Sequence, residues 1–402
     1  MTPLTILISS FSLFITLTTL VSIIFPALII SNFGIHSSDL EIFEIGNNAL
    51  VVLSCNVFLI VFGVLFYKNK LPHQIQSSIS TLLHKQISAK VTLILVLIII
   101  IPYVVFTIPE LLIDEVTQAP DYEIFLAAKE IFPFGKTTFT EAAEQNDRYV
   151  RMILLIASLE IFQNVKIIPF LGSIALLFTT FFLTKEITKN RLAGIISLLV
   201  VIQSYTFLKY DSFAMYENFW VLFYVLSLYL ISKKIYTSSI SYGLSILTKA
   251  FTAIFLPLSI VFIFYSNLKS KTKLLLVFSY AMMFGSIIAI WTFDTSVYDN
   301  IIRFDFSKII VALTKTSYQL RFDLLFLTSL LPLTLALILR AKNGFHMATP
   351  ILFLITGSIF AGAIVEMLSD HFVILPYRFV PTIVFFAVGV GVLFNHKKEE
   401  EL

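Results

Sequence analysis

The chain has 402 residues, 58% of them hydrophobic and only 13% charged, with a net charge of +3. Soluble domains carry about 25% charged residues, so this composition excludes a soluble enzyme, and the small positive balance gives no case for a nucleic-acid partner. A mean hydropathy of +0.92 instead predicts an all-α, multi-pass membrane protein, and the lone Cys55 leaves no intrachain disulfide or Cys/His metal cluster.

About 20 apolar residues cross a bilayer as a helix. Runs of that kind fall at 4–30, 47–66, 91–110, 165–184, 192–209, 217–232, 274–294, 323–340, 348–367 and 378–395. The first is too long for the apolar core of a signal peptide and lacks a basic leader, so it reads as a span. The run 236–265 contains Lys249 near its middle and reads as two short spans joined by a turn there. The ten runs plus these two give about 12 spans. The abundant aromatics, 41 Phe and 16 Tyr, suit contact with membrane lipid and its interfaces.

Lys and Arg collect in cytoplasmic loops. Lys68, Lys70, Lys85 and Lys90 stand in the loop 67–90 without an acid, and Lys185, Lys189 and Arg191 cluster in 185–191. Lys233 and Lys234, Lys269, Lys271 and Lys273, Arg340 and Lys342, and His396, Lys397 and Lys398 continue the pattern. Both termini then face the cytoplasm. The loops 111–149, 210–216, 295–322 and 368–377 face out. Residues 72–90 suit a short amphipathic helix at the inner surface. Residues 1–90 read as an N-terminal hairpin plus its cytoplasmic loop, ahead of a module at 91–402.

The stretch 110–164 is the longest polar interruption. It holds Asp114, Glu115, Asp121, Glu123, Glu130, Glu141, Glu144 and Asp147 against Lys129, Lys136, Arg148 and Arg151. Asp121 suits an N-cap and Glu123 a first helical turn; alternatively Asp121 is a general base or metal ligand at a cavity mouth. Residues 149–163 are apolar but too short and too charged to span, which suits a helix lying in the outer interface.

Farther on, Asp211 and Glu217 flank a short outer turn. Asp211 reads as a solvated loop acid. Glu217 opens the apolar run from Phe219 to Ile231, either as a helix-dipole partner or as an ionisable group with a function at the membrane edge. Lys249 either snorkels to the interface or pairs with a phosphate. Arg378, with Arg321 and Arg303 as further members, suits bidentate phosphate binding. His371 beside Asp370 is a possible acid/base or metal ligand.

In order and sidedness these residues resemble the GT-C superfamily of membrane glycosyltransferases, especially the dolichyl-phosphate-mannose protein mannosyltransferase and arabinosyltransferase-like branch. The resemblance covers about 91–395 and rests on four elements. An outer-loop acid ahead of a short helix resembles Asp121 to Ala128, followed by the interfacial helix at 149–163. An acid before an apolar helix resembles Glu217-Asn218-Phe219-Trp220. A Gly-Leu-x-x-Leu-(Thr/Ser)-Lys element resembles Gly243 to Lys249, and an Arg-aromatic-x-Pro element resembles Arg378-Phe379-Val380-Pro381. The family's first acidic motif is a contiguous pair; Asp114-Glu115 is contiguous, whereas Tyr122 follows Asp121.

The resemblance implies a polyprenyl-phosphate sugar donor, a glycan, lipid or protein acceptor, and inverting transfer on the extracytoplasmic face of a cell membrane. It implies Asp121 as base, Glu217 assisting with acceptor or metal, and Lys249 and Arg378 on the donor phosphate. Asp211, Glu123 and Arg321 are further candidates for the substrate site. A divalent metal is used by some relatives and not by others. A transporter, or a catalytically inactive scaffold of the same architecture within a membrane complex, is the alternative. Transporter charges should lie near the midplane on broken helices, whereas these cluster at one face.

Overall fold

A computed structural model describes residues 1–26, 45–119, 121–131, 149–233, 237–293, 309–368 and 375–394. Among them the chain is helical, with no strand. In order the α-helices are α1 (Pro3–Ile24), α2 (Ala49–Tyr67), α3 (His73–His84), α4 (Ala89–Leu111), α5 (Glu115–Gln118), α6 (Asp121–Ile131), α7 (Tyr149–Phe162), α8 (Ile167–Thr188), α9 (Arg191–Ile202) and α10 (Tyr205–Tyr210). They continue with α11 (Phe219–Ser232), α12 (Ser238–Thr248), α13 (Leu256–Tyr265), α14 (Ser270–Phe293), α15 (Ile309–Tyr318), α16 (Leu324–Lys342), α17 (Ala348–Leu368) and α18 (Val380–Val392). Short 3-10 turns at Ala250–Phe255, Gln319–Phe322 and Pro376–Phe379 interrupt them.

Seven of the helices are long and apolar enough to cross a membrane: α1, α2, α4, α8, α14, α16 and α17. The remaining apolar runs form shorter helices at Arg191–Ile202, Phe219–Ser232, Ala250–Tyr265 and Pro376–Val392. The continuous run 192–209 is cut after Ile202, where the chain turns and restarts at Tyr205. The 236–265 run breaks at Lys249, whose extended backbone (φ −153°, ψ 113°) separates α12 from the 3-10 turn.

The chain divides into two compact units, one of Met1–Ile87, Ile187–Thr206 and Ile302–Leu402, the other of Ser88–Glu186 and Phe207–Ile301. Residues 1–87 share the first unit with the C-terminal helices.

In the first unit α1 packs against α15, α16 and α17. One face of α1 does this with hydroxyls: Ser12 meets Thr356 of α17 (2.8 Å), Thr16 meets Thr334 of α16 (3.0 Å) and Thr19 meets Ser317 of α15 (3.1 Å). Small hydroxyl residues let helix backbones approach and hydrogen-bond where lipid is no worse a solvent for Leu than protein is. Their spacing of four and then three residues puts all three on one stripe. Asn56, one of the few buried side chains of α2, docks that helix. Its amide donates to Leu327 O (2.8 Å) and accepts from Leu331 N (3.2 Å), bridging one rung of the α16 ladder.

In the second unit α11 and α12 pack closely. Ser245 Oγ donates to Trp220 O (2.5 Å) and Ser241 Oγ to Phe223 O (2.7 Å). A Cβ added at Gly172 of α8 would lie 2.7 Å from the Phe219 ring, so a glycine there lets α8 approach the first turn of α11. Tyr242 stacks on Tyr280 (centroids 5.1 Å apart).

Replacing Asn56 with Leu is expected to lower stability by about 1–2 kcal/mol and to expose α2 to exchange. Leu53→Ala, on the exposed face of the same helix, should leave both unchanged. Thermal unfolding and hydrogen exchange of the two variants in one detergent check this.

Candidate functional site

The described residues between α4 and α8, 112–119, 121–131 and 149–166, and the loop 211–218 fold against each other within the second unit. Asp114 caps α5 by accepting from Val116 N (3.1 Å), which turns the next side chain, Glu115, inward. Glu115 Oε1 accepts from the backbone N–H of Ala214 (3.0 Å) and Met215 (2.9 Å), and its Oε2 lies 3.4 Å from Lys166 Nζ. Lys166 opens α8 and also donates to Glu110 O (3.2 Å). Asn164 sets its position: the Asn164 amide donates to Leu111 O (2.8 Å), and its Oδ1 accepts from Lys166 N (2.9 Å).

Arg151 of α7 reaches the same loop. Its Nε lies 3.0 Å from Glu217 Oε2, with side-chain exposures of 2% and 1%, and its Nη2 donates to Met215 O (2.9 Å). An isolated buried charge is strongly disfavoured and needs such a partner. Apolar packing beneath holds the geometry: Phe125 and Ala128 of α6, Met152 and Leu155 of α7, and Ala214, Met215 and Phe219 form one buried cluster, with Tyr122 and Phe213 against it. Lys129 of α6 pairs with Glu160 of α7 (2.6 Å) at the surface.

Asp211 is 1% exposed, so it is not a solvated loop acid. The loop folds inward because Ser173 Oγ donates to Asp211 O (2.7 Å), while the Asn218 amide donates to Ser173 Oγ (3.0 Å). The Thr107 hydroxyl reaches the Asp211 carboxylate at 3.5 Å, and Ser212 donates to Glu110 Oε2 (3.0 Å). Burial pushes Asp211 up to about 7; the Tyr103, Thr107 and Ser212 hydroxyls oppose the shift and Glu110 adds to it. Burial also raises Glu115, against the pull of the Met215 N–H, Lys166 and the Ala214 N–H. A carboxyl poised near 7 can exchange a proton at neutral pH.

The expected site residues thus separate. Glu217, Asp211 and Lys249 lie in the second unit, around the 211–218 loop and the start of α11; Lys249 Nζ sits 5.5 Å from the Trp220 ring. Asp121 and Glu123 occupy the first turn of α6, Asp121 half-buried and Glu123 exposed. Asp121 is the first helical residue rather than the cap. Helix α6 packs against α5, the helix that Glu115 opens.

Arg321 and Arg378 belong to the first unit, on 3-10 turns that pack together. Arg321 stacks between Tyr318 and Phe322, 4.3 Å from each ring, and donates to Tyr318 O (3.1 Å). Arg378 Nε donates to Tyr377 Oη (3.4 Å). In the same unit Asp323 accepts from Thr206, and Lys315 pairs with Glu366 at 2.5 Å. Arg303, Asp370, His371, Glu141, Glu144, Asp147, Lys136, Arg148, Lys234, His396, Lys397 and Lys398 lie outside the described residues.

Arg151 pairs with Glu217 and Lys166 with Glu115; sequence reasoning gave Arg151 and Lys166 no role in the site and weighed Glu115 only as half of a contiguous acidic pair. The available signal was a single cation in each of two apolar runs, which in a membrane chain marks a buried partner. Among the described residues no group of three His, Cys, Asp or Glu is arranged to hold a metal. The chain matches no protein-family model, no curated protein and no solved structure.

Arg151→Met is expected to destabilise the second unit by about 3–5 kcal/mol by leaving Glu217 buried and uncompensated. Arg151→Met combined with Glu217→Met should recover most of that loss in a double-mutant cycle of unfolding. Asp211 gives a pH signature. Its raised value means the folded state holds a proton that the unfolded state releases near pH 4, so ionising Asp211 costs stability increasingly as pH rises towards about 7. The melting temperature of Asp211→Asn relative to wild type should therefore climb from pH 5 to 7 and level off above it.

Proposed function

We propose that the chain is a glycosyltransferase of the GT-C type, crossing a cell membrane about 12 times, that moves a sugar from a polyprenyl-phosphate donor to a glycan, lipid or protein acceptor on the extracytoplasmic face. The observation that best supports this reading is the convergence of Glu115, Arg151, Lys166, Asp211 and Glu217 on one loop, 211–218, beside Lys249 at the broken 238–265 segment. Charged side chains drawn from separate segments to one end of a helical unit suit chemistry on a charged headgroup, with apolar helices free to hold the tail.

In an inverting transfer the acceptor oxygen attacks the anomeric carbon, the bond from that carbon to the phosphate oxygen breaks, and the phosphate leaves with the electron pair. A carboxylate takes the acceptor proton. Asp121 has that role in our reading, because it is half-buried at the helix start beside the cluster. Asp211, held near neutrality, is the second group able to exchange a proton. The leaving phosphate is already anionic, so electrostatic stabilisation is the larger task, and Lys249 supplies it. Glu217, engaged by Arg151, orients the loop rather than meeting the acceptor. Arg321 and Arg378 remain proposed anion ligands within the first unit.

One observation favours a second reading. Glu115 and Glu217 are each neutralised by a buried cation, as in a scaffold subunit that keeps the architecture without the reaction. Sugar transfer from radiolabelled polyprenyl-phosphate sugars in membranes separates the two. The enzyme reading expects transfer by wild type, a loss on the order of 10²-fold or more in Asp121→Asn, and a weaker response to donor in Lys249→Ala. Chelation in the same assay tests for a divalent metal. No transfer by wild type with any donor would favour the scaffold; transfer that survives Asp121→Asn would move the base to Asp211.

A further inference from the structure

Helix α3 has 12 residues, too few to cross a bilayer, and none of its side chains is fully buried. It is nevertheless fixed at both ends within the first unit. The chain leaves α2 through a tight reversal at Asn69 (φ 53°), where Lys70 N bonds to Leu65 O (2.8 Å) and Asn69 N to Phe66 O (3.0 Å), the double bond pattern that closes a helix C-terminus. Gln76 of α3 then donates back to Phe66 O (3.0 Å) and to Asn69 Oδ1 (2.8 Å). At the far end Asn190 donates to Lys85 O (3.3 Å) and to Phe394 O (2.8 Å), and Arg191 donates to Ile87 O (3.2 Å).

An ordered helix held this way shows an apolar stripe that the protein does not cover. Ile75 and Leu82 are 44% and 50% exposed, with Ile79 between them half-buried; their spacing puts all three on one face. Ser77 and Thr81 take the opposite side. Two facts say what covers the stripe. First, α2 is of membrane-spanning length and ends at Tyr67, only residues 68–72 away, so α3 is tethered at the level of a bilayer surface. Second, Lys68, Lys70 and Lys85 flank it, exposed, and no Asp or Glu occurs anywhere from 45 to 109. A short amphipathic helix with cationic flanks buries its apolar face at the headgroup boundary and gains from anionic lipid.

We propose that α3 is a membrane-surface helix whose ligand is the headgroup layer of anionic phospholipid, with Ile75, Ile79 and Leu82 seated in the acyl boundary and Lys68, Lys70 and Lys85 on the phosphates. The site is independent of the catalytic reading above. The test uses the full chain in nanodiscs, in a Cys55→Ser background, with a nitroxide label attached through Leu82→Cys or through Ser77→Cys. In phosphatidylcholine discs containing phosphatidylglycerol, the label at 82 should be several-fold less accessible to a water-soluble nickel relaxant, and more accessible to oxygen, than the label at 77. That contrast should shrink when phosphatidylglycerol is left out, and equally when Lys68→Gln, Lys70→Gln and Lys85→Gln are combined. Those lysines are exposed, so an unchanged melting temperature confirms that the fold is kept. Equal nickel accessibility at the two positions, or a contrast that neither charge change moves, would overturn the proposal.

Discussion

A buried charge in so apolar a chain has to be matched, and the Arg151–Glu217 pair is where that constraint shapes the second unit. Arg151 bridges the Glu217 carboxylate and the Met215 carbonyl, while Glu115, backed by Lys166, takes the Ala214 and Met215 N–H groups from the other side. The loop 211–218 is therefore clamped between two cation–carboxylate pairs whose members come from four separate segments. Desolvation makes each pair weak as net stabilisation and severe as a loss when one partner is removed. Such pairs fix a single arrangement rather than add stability. The placing of Glu217 ahead of α11 follows from that clamp, while Ser173 and Asn218 hold Asp211 inward.

The first unit solves a different problem, the packing of apolar helices against one another where no hydrophobic gain distinguishes protein from lipid. Its answer is small hydroxyls on one stripe of α1 and a single amide, Asn56, on α2. The N-terminal hairpin looks like an appendage in the sequence because a polar loop follows it. Ser12, Thr16 and Thr19 make it part of the C-terminal helix cluster, and nothing in their local pattern names Thr356, Thr334 or Ser317 as partners.

Helix positions were legible wherever apolar length decided them: α2, α4, α8, α16 and α17 begin and end within a few residues of the hydropathy runs. The break at Lys249 and the helix at 149–162 were legible too, because a charge inside an apolar run and a run too short to span each have one simple reading. The site was legible only in part. Glu217 and Lys249 stood out as charges at the edges of apolar segments. Asp211 read as solvated because its neighbours in sequence are polar, and only the fold shows Ser173, Asn218 and Thr107 drawing it in. Asp114 and Glu115 look alike in sequence, yet the helix cap at Asp114 turns one out and the other in. Arg151 and Lys166 could be known as buried only with their carboxylates in view.

The clamp on the 211–218 loop is the claim on which the site depends, and amide exchange at Ala214 and Met215 tests it most directly. In the wild-type chain both amides should exchange slowly, since their acceptor is a buried carboxylate oxygen, and Glu115→Ala should release both while leaving the amides of α11 protected. Rapid exchange of Ala214 and Met215 in wild type, or protection that survives the loss of Glu115, would contradict the account.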